Sequence, residues 1–173
     1  MDFDIIQYSY NLINRQSAEQ ILKCNEFTAK YGLTLTPKQA MNLVETRCRS
    51  LKDNGRIEFG TGIIDKIIKE FCDSPFLNKD NYEETLEELI QIFYYYKNET
   101  LDKLSDDELI KYMKKAFDGP CQGSLELLAD TELDRMARNI RYGYPLDYNE
   151  ETEGADETEE TEEADSGDEH VRD

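Results

Sequence analysis

Apolar residues recur at helical spacing through almost the whole chain up to about residue 146. The clearest helix begins at Thr36-Pro37, where the threonine can cap the helix and the proline takes its first position. Asn54-Gly55 ends the same segment, because glycine and asparagine tolerate the backbone that follows a helix. Between these signals the apolar residues fall on one side of a helix: Ala40, Met41, Val44, Cys48 and Leu51.

The same spacing predicts further helices over about 4–13, 17–31, 63–72, 80–101, 105–117 and 124–142. Ser17, Ser105 and Ser124 are the predicted caps at the start of three of them. Only Arg56–Gly60 alternates between polar and apolar residues as a strand does. So short a segment cannot form a sheet without a second strand, and we interpret it as a linker or a short hairpin arm. The sequence therefore predicts an all-α fold, a compact bundle of about six to seven helices over residues 1–146.

Most of the negative charge lies at the C-terminal end. Residues 147–173 hold 14 acidic residues and one arginine, a net charge of −13, which leaves −6 of the total of −19 for residues 1–146. Such a segment has almost nothing to bury and its charges repel one another, so we predict a disordered acidic tail. The acidic body also makes direct binding to nucleic acid or to an anionic membrane unfavourable.

The chain contains no apolar run of the ~20 residues that a membrane helix needs. Its first residues also lack the basic and apolar stretches of a signal peptide, so we expect a cytoplasmic protein. The four cysteines lie inside apolar patterns and form no close pair, so we interpret them as reduced core thiols: Cys24, Cys48, Cys72 and Cys121.

The single histidine, His170, falls in the predicted tail. Catalytic triads, imidazole general acids and histidine-ligated zinc all need an imidazole held in a packed site. The residue inventory therefore argues against these chemistries, and we expect no cofactor.

A cluster of acidic residues keeps a metal-dependent enzyme open as an alternative. Glu83, Glu84 and Glu87 precede Glu99 and Asp102, a spacing that echoes the EExxE…ExxD pattern of all-α nucleotide pyrophosphatases, whose acids hold Mg²⁺ against phosphates. If one helix spans both groups, Glu87 and Glu99 lie roughly 18 Å apart, too far for one site. Acids in the first turn of a helix also favour the helix dipole, which is the simpler interpretation.

Basic residues form a second candidate site. Arg135, Arg138 and Arg141 lie three residues apart on the last predicted helix. They could bind a phosphate, an acidic partner or the chain's own tail, or they could form ion pairs with nearby acidic residues. Structural pairing is the simpler interpretation.

The irregular segment and the surplus tyrosines form a third group. Arg56 and Glu58 lie next to Gly60-Thr61-Gly62, which could present backbone N–H groups to an anion or could simply be a close-packed loop. Tyr94 and Tyr95 belong to a run of three tyrosines that wraps around its predicted helix, so part of the run must be exposed. Exposed tyrosines and arginines are typical of protein interfaces, and Tyr142 and Tyr144 add to this set.

Four segments resemble an uncharacterised bacterial family, a domain of unknown function: GRIEFG (55–60), IFYYYKNET (92–100), FDGPCQGSLELLA (117–129) and ELDRMARNIRYG (132–143). The resemblance spans residues 1–146 approximately and leaves the acidic tail outside. It implies a cytoplasmic bacterial protein, but no activity, catalytic residue or cofactor.

Three hypotheses follow. The first is a non-enzymatic protein–protein interaction module, an accessory or regulatory subunit whose partner is another protein; a homo-oligomer is also possible. The second is a carboxylate- and Mg²⁺-dependent hydrolase of nucleotides or phosphates. The third is an inhibitor whose acidic tail mimics a polyanion.

Overall fold

The computed structural model describes residues 2–146, without the side chains of residues 2–4 and 6. The predicted acidic tail, residues 147–173, lies outside the described residues. Within them the helices run in this order: α1 Asp2–Lys23, α2 Asn25–Thr28 with a 3₁₀ turn Ala29–Tyr31, α3 Pro37–Asp53, α4 Ile64–Phe71, α5 Tyr82–Glu99, α6 Asp106–Asp118, α7 Leu125–Leu127, a π-helical segment Leu128–Leu133, and α8 Asp134–Arg141. Every regular element in this part of the chain is helical, which confirms the all-α prediction.

Two helices begin with the capping boxes that their sequences encode. The Thr36 hydroxyl accepts a hydrogen bond from the Gln39 amide at 3.2 Å, and the Gln39 side chain accepts one from the Thr36 amide at 2.9 Å. Ser105 and Glu108 make the same reciprocal pair at the start of α6. Each pair satisfies two of the backbone N–H groups that a helix start leaves without partners.

The predicted break between residues 13 and 17 does not exist, and this part of the prediction is wrong. α1 continues to Lys23, and Ser17, expected to cap a second helix, is buried within α1. Asn14, Ala18 and Ile21 are buried beside it, at helical spacing across the expected break. No glycine or proline interrupts this stretch, so its backbone can remain helical. Packing of α1 on α3 then stabilises the continuous helix.

The helices enclose one hydrophobic core. α3 and α5 pack along each other, α1 covers the other side of α3, and α4 contacts both α5 and α6. The side chains of Phe71, Phe93 and Phe117 are fully buried in this core. α3 and α5 also contribute the polar side chains of the candidate site.

The last predicted helix is present, but it widens into the π-helical segment between α7 and α8. Ser124 caps its start, as predicted, by accepting a hydrogen bond from the Leu127 amide at 3.2 Å. The Ala129 carbonyl within the π segment accepts a hydrogen bond from the Tyr96 hydroxyl of α5. A π segment disrupts the regular pairing of helical carbonyls, and this side chain supplies a partner.

We predict from two buried tyrosines that the free energy of unfolding decreases at alkaline pH. Burial raises the pKa of both Tyr82 and Tyr96 to about 12. The folded chain therefore keeps these protons where the unfolded chain, with an ordinary tyrosine pKa of about 10, releases them. The free energy of unfolding should be unaffected by these groups below about pH 10 and should fall between about pH 10 and pH 12.

Denaturant unfolding across this pH range measures the effect. Tyr96→Phe removes one of the two hydroxyls and should make the decline of the unfolding free energy with pH shallower. A decline as steep as in the unmodified chain would contradict the assignment of Tyr96.

Candidate interaction site

Arg47 lies on α3 with its side chain only 5% exposed. Its Nε donates to the Tyr94 hydroxyl at 3.1 Å, Nη1 donates to the Gly60 carbonyl at 2.7 Å, and Nη2 lies 3.4 Å from a carboxylate oxygen of Glu58. A buried guanidinium is tolerated only with such partners, because an uncompensated charge in the interior is strongly destabilising. The segment after α3 is therefore held against α3 by the side chain of Arg47.

Tyr94 joins α5 to the same cluster. Its side chain is fully buried, and its hydroxyl donates to the Glu58 carboxylate at 2.7 Å while accepting from Arg47. Burial and the hydrogen bond to Glu58 both raise the pKa of Tyr94, against the smaller opposite effect of Arg47. The hydroxyl therefore stays protonated and acts as a donor to Glu58 at neutral pH. We call Arg47, Glu58 and Tyr94 the anchor cluster.

Gly62 lets the loop approach Arg47 closely. It has a positive φ of 58°, and a Cβ placed on it would lie 2.5 Å from the Arg47 Nε. Gly60, whose carbonyl accepts from Arg47, also has a positive φ of 71°. The Gly60-Thr61-Gly62 segment is thus a close-packed loop that needs glycine for both its backbone angles and its contact.

Arg56 fixes the other end of the loop. Its guanidinium makes two hydrogen bonds to the Asp102 carboxylate, at 2.8 and 3.1 Å, and a third to the Asn98 side chain at 2.8 Å. Asn98 in turn donates to the Asn54 carbonyl at 2.9 Å. The Arg56 guanidinium also holds the pKa of Asp102 below its usual value. A bidentate pair of this kind fixes orientation more than it adds stability at a partly exposed site.

The loop turns its polar side chains inward and its apolar side chains outward. Arg56 and Glu58 reach back to the helices, whereas Ile57 is 85% exposed and Phe59 is 91% exposed. The usual arrangement buries the apolar residues of an alternating segment. Here the anchor cluster and Asp102 bind the intervening polar residues, so the two large apolar side chains are held in solvent. We call Ile57 and Phe59 the exposed pair.

Sequence reasoning selected Arg56 and Glu58 but missed the exposed pair. The one available signal was the alternation over Arg56–Gly60, which shows that two apolar residues share one face. The alternation does not reveal which face is buried, because that depends on the buried Arg47 and Tyr94 on two other helices.

The arginines of the last helix are all ion-paired. Arg135 forms an ion pair with Glu132, three residues earlier in the chain, at 2.6 Å. Arg138 forms one with Asp134, four residues earlier, at 2.7 Å. Arg141 pairs with Glu99 at the end of α5, also at 2.7 Å.

Arg135 additionally lies at a groove of about 1040 Å³ between α6 and α8. Tyr112 and Lys115 line the α6 side of this groove, and Met136 and Asn139 line the α8 side. The groove is therefore of mixed polar and apolar character.

The run of tyrosines divides between core and surface. Tyr95 is 52% exposed, whereas Tyr94 and Tyr96 are buried. The ring of Tyr94 is therefore not accessible to a partner. Its hydroxyl instead donates a hydrogen bond to Glu58 within the fold. Tyr142 and Tyr144 are exposed at the end of α8.

The acidic residues of the metal alternative do not converge. α5 runs unbroken from Tyr82 to Glu99, so Glu83, Glu84 and Glu87 lie at its beginning, far from Glu99 and Asp102. Glu83 accepts a hydrogen bond from the Asn42 side chain at 2.7 Å. Glu99 and Asp102 are bound by Arg141 and Arg56. Among the side chains that the structure describes, no three from histidine, cysteine or acidic residues are grouped so that they could hold a metal ion.

A family model described as a family of unknown function (DUF6323) matches residues 20–146. The chain belongs to this family. The match to DUF6323 contains the exposed pair, the anchor cluster and Asp102, and it begins within α1, later than the resemblance suggested. No curated protein and no solved structure matches the chain. None of the helices over residues 2–146 has the length and apolar character needed to cross a bilayer.

The adjacent tyrosines Tyr94 and Tyr95 offer a matched test of the anchor cluster. Tyr94→Phe removes a hydroxyl that is hydrogen-bonded to both Arg47 and Glu58. The substitution should lower the free energy of unfolding by about 1–3 kcal/mol, because the buried Nε of Arg47 loses its acceptor. Tyr95→Phe removes the same atom from a half-exposed ring and should change it by about 0.5 kcal/mol or less. Urea unfolding of both variants measures the difference; equal effects would contradict the structural role of Tyr94.

Proposed function

We propose that this chain is a non-enzymatic protein–protein interaction module, an accessory or regulatory subunit, whose contact surface is centred on the exposed pair Ile57 and Phe59. The observation that supports this most is that both side chains are almost fully exposed on a loop that polar contacts with Arg47, Tyr94 and Asp102 hold in place. Single exposed apolar residues are common on protein surfaces. Two exposed apolar side chains on the same face of an anchored loop are less easily explained by chance.

Rigid anchoring favours binding because it lowers the entropic cost of association. A flexible loop must be ordered when a partner binds, and this ordering weakens the affinity. The loop that carries Ile57 and Phe59 is already held by Arg47 and Arg56 on its two sides. An aromatic side chain presented in this way has the character of a binding hot spot.

The charge distribution supports a protein as the partner. The net charge is −6 over residues 1–146 and −13 over the remaining residues, which opposes binding to nucleic acid and to anionic membranes. The hydrolase alternative requires acidic residues in one pocket, whereas its candidates lie at opposite ends of α5. We therefore place the interaction hypothesis first, with a cytoplasmic protein as the expected partner.

The test is affinity capture of the tagged full-length chain from its native cell, followed by mass spectrometry. The double variant Ile57→Ser/Phe59→Ser should lose a stoichiometric partner, with affinity reduced by about thirtyfold or more, as for a binding hot spot. Both positions are exposed, so the free energy of unfolding should stay within about 0.5 kcal/mol of the unmodified chain.

The matched control is Tyr31→Ser, which removes an aromatic ring that is 44% exposed in the 3₁₀ turn after α2, outside every candidate interaction surface. This variant should capture the partner as the unmodified chain does. If the double variant captures every stoichiometric partner at undiminished levels, the proposed contact surface is wrong.

A further inference from the structure

The geometry points to Arg56–Phe59 as an anchored loop segment that adds as a β-strand to the exposed sheet edge of a partner protein. This inference rests on the proposed function and gives its partner a structural class. The partner would present an unpaired edge strand, with apolar side chains where the strand passes Ile57 and Phe59. Recognition by strand addition takes its affinity from main-chain hydrogen bonds and its specificity from alternate side chains.

The backbone at the centre of this segment has no partner within the described part of the chain. The Arg56 amide donates to the Leu51 carbonyl at 2.8 Å, and the Gly60 carbonyl accepts from Arg47 at 2.7 Å. Between these two bonds, no amide or carbonyl of Ile57, Glu58 or Phe59 forms a hydrogen bond among residues 2–146. A strand with free backbone groups is the template on which another strand can pair.

The side chains already follow the period of a strand. Successive residues of a strand point to opposite faces, and here exposed and partly buried residues alternate from Arg56 to Phe59. The polar face is occupied by contacts with the chain's own helices, through Glu58 to Arg47 and through Arg56 to Asp102. The apolar face and the backbone edge remain for the partner.

Charge does not oppose this pairing. Glu58 is bound by Arg47 and Tyr94, and Arg56 is bound by Asp102, so both charged residues of the segment already have partners. An incoming strand therefore meets two apolar side chains and a neutral backbone. Aromatic and β-branched residues across from Ile57 and Phe59 would give the most favourable cross-strand pairs.

The available area argues for strand pairing rather than contact through two side chains alone. One isoleucine and one phenylalanine offer on the order of 300–400 Å² together. A specific interface needs roughly 800 Å² from each partner. Self-association through these two side chains alone falls short of this, and a second copy has no sheet among residues 2–146 to offer. A partner sheet adds main-chain hydrogen bonds along its edge strand and the side chains of its neighbouring strands.

The test uses the full-length chain and a displayed library of disulfide-closed β-hairpins whose edge strand is randomised. Hairpins selected on the unmodified chain should carry aromatic or β-branched residues at alternate positions of that strand. Their affinity should fall at least tenfold for Ile57→Ser/Phe59→Ser and should be unchanged for Tyr31→Ser. If no hairpin is enriched, or if the enriched ones ignore the double substitution, strand addition is wrong.

Amide hydrogen exchange of the complex, measured by NMR, distinguishes strand pairing from side-chain docking. Neighbouring amides of a strand point to opposite edges, so a paired edge protects alternate residues. The selected hairpin should slow exchange at Ile57 and Phe59 together but not at Glu58, or at Glu58 alone. Uniform protection, or none at these three amides, would overturn the inference.

The double variant Ile57→Ser/Phe59→Ser also tests two other occupants of this surface. Sedimentation that shows self-association lost in Ile57→Ser/Phe59→Ser would make a second copy the occupant. Flotation with vesicles of anionic phospholipid, lost in the same variant, would make it a lipid surface. Either result overturns a partner sheet as the occupant of this surface. If capture from the cell depends on Ile57 and Phe59 while the hairpin test fails, the interaction surface stands and only the strand geometry is wrong.

Discussion

A guanidinium with almost no access to water must find acceptors inside the protein, because leaving its charge unpaired there would be strongly destabilising. Arg47 meets this constraint with groups from two other parts of the chain: the hydroxyl of Tyr94 on α5, and the Gly60 carbonyl and Glu58 carboxylate of the loop after α3. The contact requires a residue without Cβ at Gly62. One buried cation thus joins two central helices to the loop and determines how that loop lies.

The orientation of the apolar residues in this loop follows from the same constraint. Burying Ile57 and Phe59 would favour folding by about 1.5–3 kcal/mol each. It would also turn Glu58 away from Arg47 and Tyr94, because successive residues of an extended segment face opposite sides. Satisfying the buried charge takes precedence, and two apolar side chains are left in solvent. A surface that is unfavourable in the free chain becomes favourable when a partner covers it.

The family match covers the part of the chain that carries this arrangement. Residues 20–146 match DUF6323, and they include Arg47, the loop and Tyr94. The first nineteen residues and the strongly acidic residues 147–173 lie outside the match. A function shared by the family is therefore better sought within residues 20–146 than in the acidic C-terminal segment. Arg135, Arg138 and Arg141 lie within the match too, and each already has a carboxylate partner.

The sequence alone determined the all-α class, the caps at Thr36, Ser105 and Ser124, and the ends of most helices, because these depend on residues close together in the chain. It also showed that Glu87 and Glu99 lie far apart if one helix carries both, as α5 does. Only the tertiary structure decided that α1 passes unbroken through Ser17, since burial against α3 overrides a local capping signal. Only the tertiary structure, likewise, decided which face of Arg56–Gly60 is buried. That choice depends on Arg47 and Tyr94, which lie 47 residues apart in sequence and meet only in the folded chain.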